Sequence, residues 1–299
     1  MFASPLSNTV YDNTSYIFGS GRSGTSVLYK ILHSCNLVMA DYEPPVMQSC
    51  LGLMKGTYDS GDYLKTIFKT YLGEEFFINY LLTRKINKNP NEFSTICDVK
   101  DHDFISTLKT KFNSRSDVEA AAKVWTILIK LPNLSSSVEK LISSNSKIVL
   151  THRNPDEVIS SGLLKGWYND RYLLARPSWP YIVVDDFPVP YWVSEELTET
   201  WVRGDEIDRA LVNYYEMQKV VNSLAMCRDC IDVHYEMLVS EPVVLLEKIF
   251  EFLGFKRGPK TASLIEKVKP QTTDQVSPEK WRSRLIYREI MDLEGVKYG

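Results

Sequence analysis

The feature that most restricts the fold is a glycine-rich loop between a short apolar run and an amphipathic segment. Residues 16–18 form the apolar run, and residues 19–26 form the loop, with the sequence Gly-Ser-Gly-Arg-Ser-Gly-Thr-Ser. Apolar residues then recur at helical spacing over residues 27–32. This order predicts an anion site, because backbone N–H groups and the positive end of a helix dipole converge at such a turn. The alternative is a glycine-rich turn capped by its own serines.

The loop offers both backbone and side-chain partners for a phosphate-like group. Its glycines allow the backbone to approach an anion closely, its hydroxyls are donors, and its arginine carries a planar cation. The loop of a nucleotide kinase has the pattern G-x-x-x-x-G-K-[ST], and the Gly-Lys pair is missing here. The candidate binding residues are therefore those of a different anion loop, namely Gly21, Arg22, Ser23, Gly24, Thr25 and Ser26.

Short apolar runs alternate with longer helical patterns along the rest of the chain. We expect strands near residues 36–40, 125–130, 147–151 and 231–234, and helices near residues 62–83, 118–123, 136–143 and 242–253. This alternation predicts an α/β fold, a single domain over residues 1–299 with a mainly parallel central sheet flanked by helices. Residues 167–192 fit neither period, and we interpret them as a long aromatic insertion or lid.

Charge and composition exclude several classes of function. The net charge of −3 argues against binding nucleic acid by bulk electrostatics, and no run is long and apolar enough to span a bilayer. The amino terminus lacks the pattern of a secretory or transit signal. Five scattered cysteines favour reduced thiols and a cytoplasmic location, and we interpret Cys227 and Cys230 as thiols in a turn rather than a zinc site.

A second polar motif directly follows the predicted strand at residues 147–151. Arg153 lies at the end of this strand, Pro155 suits the first turn of a helix, and Ser161 comes two helical turns later. Because open α/β sheets bind ligands at the carboxyl ends of their strands, Arg153 and Ser161 are candidates to share one phosphate. The alternative for Arg153 is a structural salt bridge.

Together the two motifs resemble those of the PAPS-dependent sulfotransferase family, where PAPS is 3′-phosphoadenosine 5′-phosphosulfate. The loop is similar to the family's 5′-phosphosulfate loop in its Arg-Ser-Gly-Thr form, found in carbohydrate, tyrosylprotein and many bacterial members. Arg153, Pro155 and Ser161 fit the family's 3′-phosphate motif. Lys130-Leu-Pro132 resembles its Lys-x-Pro segment, and Tyr235-Glu-Met-Leu resembles its Tyr-Glu-Asp-Leu block.

The carboxyl-terminal region adds a fifth point of resemblance. Residues 273–276 and 280–282 are similar to the donor-covering segment of tyrosylprotein sulfotransferases, so the resemblance runs from about Tyr16 to Arg284. It implies a P-loop-like sulfotransferase fold with a donor-binding core at residues 16–161 and a donor-covering segment at residues 270–284. It also implies that the donor contacts Tyr235, Thr273, Lys280, Trp281 and Arg282, with PAP (3′,5′-adenosine bisphosphate) as product.

The resemblance also assigns catalytic roles. Arg22 and Lys130 are expected to stabilise the charge that grows on the departing 5′-phosphate, and no metal is expected. Glu43 resembles the general base of the carbohydrate and tyrosine branches, with a solvated turn carboxylate as the alternative. The remaining candidates for the base are Asp41, Asp98, Asp101 and His102.

The acceptor is expected to contact the variable segment at about residues 165–205. Its aromatic residues and carboxylates would suit a cationic small molecule through cation–π contacts and ion pairing, or else anchor a long loop to the core. The candidate acceptor residues are Asp41, Glu43, Trp167, Tyr168 and Asp170. The resemblance favours a natural product, including guanidinium compounds, over a carbohydrate or tyrosine acceptor. The other classes considered are a kinase-like ATP-binding protein and an inactive binding module.

Overall fold

The computed structural model describes residues 2–56, 61–79, 81, 112, 114–175, 179–270 and 276–298. Five strands form a parallel sheet in the order β2-β3-β1-β4-β7, and β5 and β6 form a separate antiparallel hairpin. In chain order the strands are β1 Thr14–Gly19, β2 Val38–Tyr42, β3 Thr126–Leu131, β4 Ile148–His152, β5 Tyr181–Val184, β6 Phe187–Pro190 and β7 Cys230–His234. The predicted α/β fold with a parallel central sheet is confirmed.

Helices cover both faces of this sheet. Those of the first half are α1 Pro5–Asp12, α2 Thr25–His33, α3 Pro45–Gly56, α4 Gly61–Thr70, a π-helical stretch Tyr71–Phe77, α5 Arg115–Ala122, α6 Val138–Leu141 and α7 Pro155–Leu164. Those of the second half are α8 Asp170–Leu174, α9 Glu195–Arg203, α10 Glu206–Cys227, α11 Tyr235–Ser240, α12 Pro242–Leu253, α13 Thr261–Ile265, α14 Glu279–Arg282 and α15 Leu285–Tyr298.

Alternate residues of each strand enter two separate hydrophobic clusters, one on each face of the sheet. Ile17 packs with residues of α2 and α12, whereas Tyr16 and Phe18 pack with residues of α10 on the opposite face. This alternation follows from the pleat of the strand, which points successive side chains to opposite faces. The result is a three-layer arrangement in which a central sheet, buried on both faces, presents only its edges to ligands.

The order of the strands places one edge of the sheet at a topological switch point. β1 lies between β3 and β4, so the connections that leave β1 and its neighbours diverge at their carboxyl ends. Open α/β sheets bind ligands in the crevice at such a point. At this edge the glycine-rich loop begins with Gly19, the last residue of β1. Glu43, Arg153 and Tyr235 each directly follow a strand, and Lys130 is the penultimate residue of β3.

Residues 167–192, which fit neither a helical nor a strand period in the sequence, contain α8 and the β5–β6 hairpin. Val184 pairs with Phe187 across a two-residue turn, in which Asp185 and Asp186 both have positive φ angles (49° and 62°). Such turns favour Asn-Gly or Asp-Gly, so the Asp-Asp pair gave little sequence signal for a hairpin. Within the described residues no helix is long and apolar enough to cross a membrane.

Candidate active site

The glycine-rich loop ends at the amino terminus of α2, where the first N–H groups of the helix have no side-chain cap. Gly24 occupies the N-cap position with φ of 86°, and no side chain makes a capping hydrogen bond there. A pocket of about 320 Å³ of empty space opens at this point, lined by Arg22, Gly24, Thr25, Ser26, Val27 and Tyr235. Uncapped N–H groups and the helix dipole favour an anion in this pocket.

Two glycines of the loop hold positions that a side chain would disrupt. A Cβ atom on Gly19 would lie 2.0 Å from Thr151 Oγ1, and one on Gly24 would lie 2.6 Å from Cδ2 of Tyr235. Gly24 also has a left-handed backbone, which L-residues with side chains adopt at a cost of about 1–2 kcal/mol. The close approach of β4 and α11 to the loop therefore depends on these glycines.

Ser23 is engaged within the loop itself. Its hydroxyl donates to Ser20 O at 2.6 Å and lies 2.7 Å from Thr151 Oγ1, and its side chain is buried. This hydroxyl therefore braces the loop against β4, and contact of Ser23 with the donor stays a prediction. Arg22 in the same loop has a left-handed backbone with φ of 75°, a strained conformation for a residue with a side chain.

Arg22, Arg153 and Ser161 are brought together at this edge of the sheet. Arg22 Nε donates to Ser161 Oγ at 2.8 Å, and Arg153 Nη1 donates to the carbonyl oxygen of Arg22 at 2.9 Å. Arg153 is 6% exposed, its guanidinium lies 4.3 Å from the centre of the Tyr235 ring, and it forms an ion pair with Glu157. The salt bridge considered as an alternative for Arg153 is thus present together with the contact to the loop.

A second cluster joins the loop to the ends of β2 and β3. Lys130, whose side chain is 3% exposed, forms an ion pair with Glu43 and donates to Tyr42 OH at 3.0 Å. Ser26 Oγ lies 3.2 Å from the same Tyr42 oxygen. Burial lowers the pKa of Lys130, but Glu43 and Tyr42 together more than offset it and the pKa is raised overall. Lys130 is therefore an ammonium, held between an acid and a phenol.

Tyr42 is the residue of this cluster that sequence reasoning missed. It lies directly beside Lys130 in the register of β2 and β3, and the Lys130 ammonium is 4.1 Å from the centre of its ring. Burial raises the pKa of Tyr42, so its hydroxyl stays protonated and can donate. The signal available in the sequence was the spacing alone, since Tyr42 immediately precedes Glu43 after a predicted strand.

Of the two candidate bases within the described residues, Glu43 is the more exposed. Its side chain is 25% exposed, and its backbone has φ of 50°, with the N–H bonded to Lys130 O at 2.8 Å. Asp41 is 5% exposed and accepts a hydrogen bond from Tyr71 OH at 2.7 Å. Burial raises the pKa of Asp41 to about 6. The other candidates, Asp98, Asp101 and His102, lie outside the described residues.

Three residues expected to contact the acceptor are engaged within the protein. Asp170 forms an ion pair with Arg209 at 2.6 Å, and Tyr168 is buried against Gly162. Trp167 packs on the loop, where its Cζ3 atom would be 3.2 Å from a Cβ on Gly21. Asp41 is likewise engaged, since its carboxylate is buried against Tyr71, whereas the Asp170 side chain is 68% exposed; contact of Asp41, Tyr168 and Asp170 with the acceptor stays a prediction.

A pocket of about 290 Å³ of empty space lies next to Glu43 on the side of the hairpin. Its walls combine aromatic rings with neutral amides and apolar groups, and its lining residues are Glu43, Gln48, Leu131, Pro132, Asn133, Trp179, Tyr191 and Trp192. The sequence contained these aromatic residues within the variable segment, but the hairpin that brings them to Glu43 was not expected. The variable segment therefore lines this pocket with residues other than those proposed from the sequence.

The carboxyl-terminal segment is attached to the helix that carries Ser161. Val276 N donates to Ser160 Oγ at 2.8 Å, and the Trp281 indole donates to Asp156 Oδ1 at 2.9 Å. Arg282 forms an ion pair with the same carboxylate, and Lys280 is exposed. Trp281 is fully buried, and its contact with the donor stays a prediction. Thr273 lies outside the described residues.

Among the described residues, no group of three or more His, Cys, Asp or Glu side chains could hold a metal ion. Cys35, Cys50, Cys227 and Cys230 are free thiols. His152 is 2.5 Å from Asp232 through its Nε2 atom and stacks on His234, so it lies between β4 and β7 and not in either pocket.

The solved structures that this chain is similar to include several bacterial sulfotransferases. The sulfotransferase domain of the olefin synthase of Synechococcus PCC 7002 is 16% identical over 96% of this chain and 95% of that chain, with a TM-score of 0.48. Sulfotransferase STF9 of Mycobacterium avium is 14% identical over 97% and 77%, with a TM-score of 0.46. A sulfotransferase of Alicyclobacillus acidocaldarius is 11% identical over 95% and 94%, with a TM-score of 0.45.

Comparison with curated proteins gave no match. The family model described as the sulfotransferase family matches residues 16–258, a range that begins with β1 and the anion loop and includes Lys130, Arg153, Ser161 and Tyr235. Because this match covers most of the chain, the protein belongs to the sulfotransferase family and is a sulfotransferase.

Proposed function

We propose that this enzyme transfers the sulfuryl group of PAPS to a hydroxyl or amine of a small-molecule acceptor and releases 3′,5′-adenosine bisphosphate. The observation that carries the proposal is the convergence of two anion-binding elements on one edge of the sheet. The uncapped start of α2 is one element, and the buried Arg153 with Ser161 is the other. A nucleotide phosphorylated at both its 3′ and 5′ positions presents two such anions.

The residues at each position fit this donor chemically. Backbone N–H groups of Thr25, Ser26 and Val27 begin α2 and line the first pocket, which suits the 5′-phosphosulfate. Arg153 has a planar guanidinium that matches the oxygens of a phosphate, and the Ser161 hydroxyl is a further donor. Tyr235 contacts both Arg153 and Gly24, which supports a role in holding the nucleotide between the two positions.

The transfer itself is an in-line displacement at sulfur. The bond from sulfur to the bridging oxygen of the 5′-phosphate breaks, the bond from sulfur to the acceptor oxygen or nitrogen forms, and the acceptor gives up one proton. Glu43 is the proposed base for that proton. Lys130 and Arg22 are the proposed cations that stabilise the negative charge growing on the bridging oxygen.

Tyr42 supports this arrangement by linking the loop to the catalytic pair. Its hydroxyl contacts both Lys130 and Ser26, so the position of the ammonium is tied to that of the anion loop. Fixed groups of this kind need little rearrangement as charge develops, which is the main source of electrostatic catalysis.

The free thiols are consistent with the cytoplasmic location that we include in the proposal.

The second candidate function is a sulfotransferase acting on a carbohydrate or a tyrosine residue, since the Glu-type base resembles those branches. A sulfated polysaccharide needs a cleft rich in arginine and lysine, and the described residues that line the pocket next to Glu43 include neither. A kinase-like use of the loop for ATP lacks a lysine in the loop and gives no role to the Arg153–Ser161 pair.

Thermal melting with three ligands tests the proposal. A ligand present at about 100 times its Kd raises the free energy of unfolding by about 2.7 kcal/mol. We expect 3′,5′-adenosine bisphosphate to raise the melting temperature more than ATP or AMP at the same millimolar concentration. A shift with ATP and none with the bisphosphate would refute the PAPS donor. Incubation with PAPS and a metabolite mixture, followed by mass spectrometry, would then identify the acceptor by the gain of one sulfo group.

A further inference from the structure

The pocket beside Glu43 is an aromatic corner formed by three rings. Trp192 lies between the other two, with its ring centre 5.0 Å from that of Trp179 and 5.0 Å from that of Tyr191. The planes meet at 65° and 85°, so the rings form walls at steep angles to each other. We define this aromatic corner as Trp179, Tyr191 and Trp192.

The corner is held in place by one hydrogen bond and one packing contact. Tyr191 OH donates to Asn133 O at 2.7 Å, which ties the hairpin side to the segment after β3. A Cβ on Gly52 of α3 would meet Pro180 at 2.7 Å, so the chain next to Trp179 packs directly on that helix. Rings fixed in this way need little ordering when a ligand binds, which favours a preformed site.

Among the described residues, the lining of this pocket carries negative charge only. Glu43 is the acidic residue of the lining, and no lysine or arginine is part of it. Lys130 forms an ion pair with Glu43 that offsets part of its charge, but Lys130 is 3% exposed and does not line the pocket, so the charged group that a ligand meets there is the carboxylate. Burial raises the pKa of Tyr191, and the negative charge of Glu43 raises it further, which is consistent with a carboxylate close to this ring.

We infer that the aromatic corner and Glu43 form the acceptor site, and that the acceptor is a small organic cation carrying the hydroxyl or amine that is sulfated. Aromatic faces attract cations through their quadrupoles, and a carboxylate adds ion pairing, whereas an anionic acceptor would be repelled. This inference rests on the proposed function, since it assigns Glu43 the acceptor's proton. It places the cation beside residues that flank the hairpin, in addition to the expected Asp170, whose side chain is 68% exposed and pairs with Arg209.

Three probe alcohols of similar size test the charge requirement on the unaltered protein. Choline is a hydroxylated cation, 3,3-dimethyl-1-butanol is its neutral isostere, and 3-hydroxybutyrate is an anion. We expect calorimetry in the presence of 3′,5′-adenosine bisphosphate to give choline a Kd at least about tenfold lower than the neutral alcohol, with no binding of the anion. Equal affinities, a preference for the neutral or anionic probe, or no binding of any probe would overturn the inference.

Substitutions of Trp179 test the site itself. Trp179→Phe keeps an aromatic face, and Trp179→Leu removes it while staying apolar. We expect Trp179→Leu to raise the Kd for choline about 3- to 30-fold and Trp179→Phe to raise it less, with the Kd for the bisphosphate unchanged in both. An unchanged choline Kd in Trp179→Leu would refute the site. Loss of bisphosphate binding by the unaltered protein would instead refute the proposed function, so the two failures are distinguishable.

Discussion

Lys130 and Glu43 are joined twice, once through their backbones and once through their side chains. The N–H of Glu43 donates to Lys130 O at 2.8 Å, and the carboxylate of Glu43 pairs with the buried ammonium of Lys130. The left-handed backbone of Glu43 makes the second contact possible, because it turns the chain at the end of β2 while the strand pairing continues. The pair therefore lies where the anion loop, β2 and β3 meet, with one member exposed to the acceptor pocket.

Glu43→Gln keeps the shape and hydrogen-bonding capacity of the side chain but removes the base. We expect kcat to fall about 10²- to 10⁴-fold, the range over which general bases contribute, while the Kd for 3′,5′-adenosine bisphosphate stays within about threefold. Calorimetry and a PAPS turnover assay measure the two quantities. The Asp41→Asn variant is the matched control and should retain turnover. Full activity in Glu43→Gln would remove Glu43 from the role of base.

Lys130→Ala separates catalysis from donor binding. We expect it to lower kcat about 10²- to 10³-fold, as for the loss of one group that stabilises developing charge, and to leave the bisphosphate Kd nearly unchanged. Urea unfolding should accompany the assay, because removing one member of a buried ion pair destabilises a fold by about 3–5 kcal/mol when the other member stays buried. We expect a smaller loss of stability here, since Glu43 is partly exposed. An equal loss of turnover and of bisphosphate binding would assign Lys130 to donor binding.

Gly24→Ala tests the tight contact between the loop and Tyr235. The new Cβ would lie 2.6 Å from the Tyr235 ring, so the ring or the loop must move. We expect the bisphosphate Kd to rise at least about tenfold, since preorganised N–H groups at the start of α2 would be displaced. Gly254→Ala is the control, because Gly254 has a similar φ of 74° but a Cβ there meets nothing within 4 Å. The control should lose about 1 kcal/mol of stability and no ligand affinity; equal effects on ligand affinity in both variants would contradict the account.

Asp41→Asn should alter the pH dependence of stability. Burial raises the pKa of Asp41 to about 6, above its value in the unfolded chain, so its protonated form is the one that suits the fold. The stability that Asp41 contributes is therefore complete below the unfolded pKa of about 3.9 and is lost as the pH rises through about 6. We expect Asp41→Asn to be more stable than the unaltered protein at about pH 8, by on the order of 2–3 kcal/mol, and nearly equal at about pH 4.

Urea unfolding over this pH range measures the effect, with Asp185→Asn as the control. Asp185 has an exposed side chain in the turn of the hairpin, so its neutralisation should leave the pH dependence unchanged. A constant difference between Asp41→Asn and the unaltered protein at every pH would show that Asp41 does not titrate in this range.

The donor half of the site could be predicted from the sequence, because its elements are local. A strand, a glycine-rich loop and a helix are adjacent in the chain, and Arg153 and Ser161 are separated by two turns of one helix. The buried strands were also found, since parallel strands covered on both faces are continuous apolar runs. The direct contact between Arg22 and Ser161 was not foreseen, because it joins the loop after β1 to α7, which are distant in the sequence.

The acceptor half could not be predicted because its residues are distant in the sequence. Trp179, Tyr191 and Trp192 reach Glu43 only through the hairpin, whose Asp-Asp turn is not typical of a two-residue hairpin loop. Asp170 was selected for its charge, and nothing local showed that Arg209, on a different helix, would neutralise it. Trp281 was selected from the family resemblance, whereas its burial depends on the packing of α7 and α14.

Recognition of two phosphates on one nucleotide is the central claim, and the ratio of two dissociation constants tests it most directly. Calorimetry should compare 3′,5′-adenosine bisphosphate with 5′-AMP, on the unaltered protein and on Ser161→Ala. Because charge-assisted hydrogen bonds contribute about 1.5–3 kcal/mol each, we expect AMP to bind at least about 100-fold more weakly, and Ser161→Ala to reduce that ratio about tenfold. Equal affinities of the unaltered protein for AMP and for the bisphosphate would contradict the account.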